Sequence, residues 1–262
     1  MASSFSFRLG APSYVFPADV LPNVVRLGPH VDDIEILLFE VASPEDLPDR
    51  ETIDTLRELA DEHRLSYTVH IPLDLVLASA DDAARLAALR TATDVIEATR
   101  RLDPWAYVIH VQTDRDAPIP VGALDSWRGR AIGSLERLIE AVDDPRTLAV
   151  ENLTGCPPAA VASLLDRVPV SLCLDVGHVL KTGGDPLPVL RKHAPRLRVV
   201  HLHGVTDGSD HRGLAQMDPG RLRALAAWLE DSAFGGVVTV EVFAERAFFE
   251  SLETLRAVLE GR

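Results

Sequence analysis

Ser171-Leu-Cys-Leu-Asp175-Val-Gly-His178 joins a short apolar run to a carboxylate, with an imidazole three residues further on. A run this short and this apolar reads as a strand covered on both faces, and its polar side chains fall at the C-terminal end. The same pattern recurs on both sides of it. Upstream lie runs at 147–152 with Glu151, 106–111 with His110, 66–70 with His70, 33–40 with Glu40, and a first run at 5–9. Downstream are 199–203, containing His201 and His203, and 237–242, containing Glu241.

Between these runs the apolar spacing turns helical, at 52–63, 81–102, 124–142, 157–167, 187–193, 221–231 and 246–259. The connection at 18–31 is broken by proline and is the weakest helical reading. Strands alternating with helices allow a closed (β/α)8 barrel or an open doubly wound sheet. The first strand is followed by Gly10-Ala-Pro-Ser-Tyr14 rather than the glycine-rich turn of a dinucleotide fold. Even spacing of about 33 residues per unit favours a single TIM-barrel domain over 1–262. No glycine-, serine- or proline-rich linker divides the chain.

The 262 residues are 47% hydrophobic and 25% charged, an ordinary globular balance. Lys and Arg number 26 and Asp and Glu 40, a net charge of −14, so binding to a phosphate backbone starts at a disadvantage. Cys156 and Cys173 cannot build a disulfide framework and read as small core residues in a reducing compartment. Neither a leader-like apolar run in the first residues nor a stretch of about 18 apolar residues is present, so a cytoplasmic protein without a membrane span is expected. No subunit interface is legible.

Nine histidines are present. His30, His63 and His193 fall in connections or helices. His70, His110, His201 and His203 sit at strand ends, His178 follows the sixth strand, and His211 follows the seventh. One histidine at a strand end is usually a satisfied polar side chain, and one strand glutamate needs a cation or a partner if buried. Six successive barrel strands ending in such residues converge on one rim, where barrel active sites lie. A metal site follows. Imidazoles mixed with carboxylates suit zinc, manganese, iron or cobalt. The number of candidates exceeds what one ion needs, so two or three ions are expected. Clustered ions commonly clamp phosphoryl groups and acidify water, which points first to phosphoester hydrolysis.

At these residues the chain resembles the xylose-isomerase-like barrel superfamily, and within it the apurinic/apyrimidinic endonuclease branch typified by endonuclease IV. The resemblance implies a first zinc on His70, His110 and a bridging Glu151. It implies a second ion on Glu151 with Asp175, His201 and Glu241, and a third using His178 and an Asp-x-His pair after the seventh strand. That pair departs here: Ser209 stands where the Asp belongs, Asp210 comes one place late, and His211 still fits. His203 faces the same way as His201, so either can be the seventh-strand ligand; the likeness of His-Leu-His-Gly to the family's His-Leu-Asn-Asp favours His201. Glu151, Glu241 and His178 are the residues expected to carry catalysis.

Residues 7–23, 31–40 and 201–205 are also similar to the cobamide-remodelling phosphodiesterases. That resemblance implies a small-molecule cobamide substrate, opened at the phosphoribosyl bond of its nucleotide loop to give cobinamide phosphate and the α-riboside of the lower base. Glu40 then lines the rim or is a solvated strand end, and Lys181 lies on a glycine-containing loop within reach of phosphate or is a surface lysine. Trp105 and Trp127 read as core residues more readily than as stacking platforms. The rival expectations are a one-ion sugar isomerase or epimerase on Glu151, Asp175, His201 and Glu241, an abasic-site endonuclease, and a non-catalytic binding barrel.

Overall fold

The computed structural model describes residues 5–39, 41, 43–113, 118–119 and 122–261. Glu40 and most of the polar loop at 114–120 lie outside them. Eight parallel strands close into a barrel: β1 (Arg8–Pro12), β2 (Asp33–Leu37), β3 (Ser66–His70), β4 (Ala106–Ile109), β5 (Leu148–Glu151), β6 (Ser171–Asp175), β7 (Leu197–Leu202) and β10 (Val237–Val240). The last barrel strand, β10, pairs with β1 and β7. After β7 the chain makes an antiparallel hairpin, β8 (Gly204–Thr206) and β9 (Ser209–Arg212).

The first strand is displaced from the 5–9 run. Gly10 and Pro12 disguise it in the sequence, yet Gly10 pairs with both Asp33 and Thr239. A Cβ on Gly10 would lie 3.0 Å from Val237 Cγ1 and 3.2 Å from Thr239 Oγ1, so close strand approach explains the glycine. The outer ring is α1 (Val20–Leu27), α2 (Arg50–His63), α3 (Asp82–Thr99), α4 (Leu124–Ile139), α5 (Pro158–Leu165), α6 (Val176–Lys181), α7 (Pro186–His193), α8 (Pro219–Asp231) and α9 (Glu245–Glu260). Pro22 is tolerated because it falls in the first turn of α1. The buried Asn23 side chain then ties the helix start to the carbonyls of Phe16, Ala18 and Asp19.

Alternation along each strand separates two apolar regions. Outward residues such as Val150, Leu174 and Val200 join the main core beneath the helices. Ala106, Val108, Ala149, Cys173 and Val199 form a separate small cluster in the lumen, packed on Trp105. One further step of two residues along β5, β6 and β7 carries the lumen face from Ala149, Cys173 and Val199 to Glu151, Asp175 and His201. Trp127 is fully buried and donates to the Val111 carbonyl, and both cysteines are buried and unpaired. Among the described residues no helix is long and apolar enough to cross a membrane.

Candidate metal centre

Three adjacent strands bring the first group together. His70 Nε2 and His110 Nε2 lie 3.1 and 2.9 Å from the same oxygen, Glu151 Oε2. His70 donates from Nδ1 to the Ile71 carbonyl at 2.8 Å, which turns Nε2 toward Glu151. Burial opposes a charge on His70, but its bond to Glu151 and the fields of Glu151 and Glu35 outweigh burial and raise its pKa. Burial likewise pushes Glu151 up, yet His201 and His110 hold it well below the usual carboxylate range.

The second group is deeper. His201 is fully buried, with Nδ1 3.4 Å from Glu151 Oε1 and 3.3 Å from Glu241 Oε2. His201 Nδ1 and Glu241 Oε2 have no hydrogen-bond partner among the described residues. Buried polar atoms are normally paired, so these orphaned donor atoms fit a cation between them. The Cys173 thiol lies beside Glu151 and His201.

The third group depends on short structures that the strand pattern hides. Asp175 caps α6 by accepting the His178 amide at 2.6 Å, so Lys181 ends a helix rather than lying on a loop. His178 Nδ1 lies 3.3 Å from Asp175 Oδ2, and its Nε2 faces Asp210 Oδ2 at 3.9 Å. The β8–β9 hairpin turns at Asp207 and Gly208, both with positive φ. It brings Asp210, despite its late position, together with His178 and His211. Lys181 Nζ is bonded to Asp210 at 2.7 Å. His203 is occupied on both nitrogens: Nδ1 lies 3.2 Å from the Gly204 carbonyl and 2.9 Å from the His211 amide nitrogen, and Nε2 donates to Asp175 Oδ2 at 3.1 Å. Burial opposes its charge, but Asp175 raises it to about 9. His203 therefore orients Asp175, and His201 keeps the open nitrogen. Gly177 is required here, since a Cβ would lie 1.9 Å from the His203 ring.

A cavity of about 540 Å3 opens over these groups, walled by Phe39, Leu73, Leu153 and Phe243. Trp105 and Trp127 are not among its walls. Two residues at the site were not read from the sequence. Asn152 clamps Asp175 from both sides, donating to its carbonyl at 3.0 Å and accepting its amide at 2.9 Å. Glu35 is fully buried and bonded to His201. Its signal was the period-two alternation of Asp33-Ile-Glu35-Ile, which places a carboxylate in the lumen.

The solved structures with this fold include a D-tagatose 3-epimerase-like protein, 21% identical over 97% of each chain with a TM-score of 0.80. A D-allulose 3-epimerase from Methylomonas sp. is 17% identical over 98% of each chain, with a TM-score of 0.76. Endonuclease IV from Thermus thermophilus is 20% identical over 97% of this chain and 100% of its own, with a TM-score of 0.71. At these identities the likeness is one of fold. A search of curated proteins gives no match. The family model for the xylose isomerase-like TIM barrel matches residues 25–259, and the chain belongs to that family.

Proposed function

We propose that this chain is a divalent-metal hydrolase that cleaves a phosphodiester, and that its substrate is the nucleotide loop of a cobamide. The observation that carries the hydrolytic reading is the convergence of His70 and His110 on Glu151 Oε2, beside the separate group of His201 and Glu241. A one-ion isomerase has no use for that first pair. Zinc suits the nitrogen-rich group, and manganese, iron or cobalt the carboxylate-rich ones. When bound, such ions supply Lewis acidity toward phosphoryl oxygens and acidify water at neutral pH.

The chain's own residues do the rest. Glu151 offers one oxygen to each of the first two groups and holds them in register. Asn152 and His203 fix Asp175, whose carboxylate in turn holds His178. Glu241 Oε2 would join His201 Nδ1 in holding the second ion, and Lys181, which lines the cavity, offsets phosphoryl charge. The walls of Phe39 and Phe243 suit an apolar, bulky substrate better than a small sugar. The cobamide assignment itself rests on the similarity of residues 7–23, 31–40 and 201–205. Incubating metal-loaded protein with a cobamide should release cobinamide phosphate and an α-riboside, stop on chelation and resume on adding the ion. An intact cobamide after exhaustive incubation overturns the substrate.

The epimerases among the similar structures favour a second reading, a metal-dependent sugar epimerase. Glu151, Asp175, His201 and Glu241 supply a complete one-ion set for it. Interconversion of a ketohexose such as D-tagatose, with one ion per chain, would establish it. Cleavage of an abasic duplex fits least, because the −14 chain repels the substrate backbone.

A further inference from the structure

The geometry points to Glu35 as a positioning residue that makes His201 ligate through Nδ1, the opposite nitrogen from His70 and His178. Among the described residues β2 supplies none of the proposed ligands, yet Glu35 lies at its centre, fully buried. Two donors from different strands meet on one of its oxygens. His201 Nε2 lies 3.1 Å from Oε2, and Thr239 Oγ1 donates to the same atom at 3.0 Å. A carboxylate oxygen that already accepts a hydroxyl proton draws the imidazole proton to Nε2 as well. A neutral imidazole with its proton on Nε2 presents a bare lone pair at Nδ1. That lone pair faces Glu241 Oε2 and Glu151 Oε1, both acceptors, and makes no hydrogen bond among the described residues.

His70 and His178 are oriented the other way. His70 and His178 place Nδ1 on the backbone carbonyls of Ile71 and Asn152, so Nε2 is their open nitrogen. The difference follows from depth. Ile71 and Asn152 stand just past the ends of their strands, whereas His201 lies inside β7 opposite Asp175 and Thr239, where the carbonyls serve the sheet. Only a side chain can hold its second nitrogen there, and Glu35 is that side chain. Carboxylates that orient a ligand histidine in this way typically contribute 10–100-fold in metal affinity or activity.

This inference rests on His201 being a ligand, and not on which reaction follows. Zinc affinity is measured by competition titration for the wild-type chain, Glu35→Gln and His201→Ala, and the proton-bearing histidine nitrogens are assigned by long-range 1H–15N NMR of the zinc-loaded protein. The expected result is a proton on Nε2 and zinc on Nδ1 for His201, the reverse for His70, and a fall in zinc affinity of about 10–100-fold in Glu35→Gln. Glu35→Gln binding zinc within twofold of wild type, while His201→Ala does not, overturns the role of Glu35. Wild-type affinity in His201→Ala instead overturns the ligand reading beneath it. The nitrogen assignment needs no variant: zinc on Nε2 of His201 overturns the inference even if Glu35→Gln fails to fold.

Discussion

The two ends of this barrel treat their polar groups in opposite ways. At the N-terminal end Trp105 and Arg198 exchange hydrogen bonds, and Arg8 and Arg198 stack on the indole at 3.6 and 4.2 Å. Arg196 uses its guanidinium on the carbonyls of Leu165, Val168 and Val170. At the C-terminal end carboxylates crowd one another, and His201 Nδ1 and Glu241 Oε2 have no hydrogen-bond partner among the described residues. The same lumen thus closes one end upon itself and leaves ligand atoms open at the other. Substitutions at the open end should remove metal and activity, while those at the closed end should act on stability alone.

The largest effect is expected at Glu151, whose two oxygens serve separate groups. Glu151→Ala should fold, lose its tight metal and lose more activity than any single histidine variant. Activity within tenfold of wild type would break the comparison at its centre. His110→Ala comes next, with a loss of at least about 100-fold in turnover, since removing a direct ligand should cost no less than removing a group that orients one. Steady-state rates at saturating metal would check both.

Asp33 is the exception at the closed end, and it sharpens the contrast. It is fully buried, with Ser66 Oγ at 2.6 Å on one oxygen and no hydrogen-bond partner for the other among the described residues. Burial raises it to about 7, against the hydrogen bond from Ser66 and the field of Arg8. Its unfolded value is about 3.9, so the folded state holds the proton more tightly. The stability this confers is complete below about pH 4 and is lost as pH rises through about 7, by a few kcal/mol. Asp33→Asn should therefore exceed wild type in Tm by more at pH 8.5 than at pH 5, with metal content unchanged. An equal gap at both pH values would place the ionised carboxylate at no disadvantage. The smallest effect is expected at the rim: the partly exposed pair of Lys181 and Asp210 should contribute under about 1 kcal/mol, so Lys181→Ala should barely shift the denaturation midpoint.

Strand-end chemistry was legible because the barrel converts a two-residue period into a lumen. Glu151, Asp175, His201 and Glu241 announced themselves at the ends of apolar runs. Glu35 did not, because Ile34 and Ile36 flank it and attention falls on Glu40 at the end of the same run. The helix α6 and the β8–β9 hairpin were unreadable for another reason. Each is set by a few local bonds, the Asp175 cap and the turn at Asp207 and Gly208, and not by hydrophobic periodicity. Those two short structures carry Lys181, Asp210 and His211, so the third group was the least certain part of the sequence reading. His201 and His203 share one face in the sequence, and only the hydrogen bonds on each ring distinguish them.

Metal content per chain tests the multinuclear site most directly. The wild-type protein, reconstituted and freed of loosely bound ions, should retain two or more divalent ions per chain, and His110→Ala should retain fewer. One ion per chain in both proteins would contradict the account and leave the epimerase reading in its place.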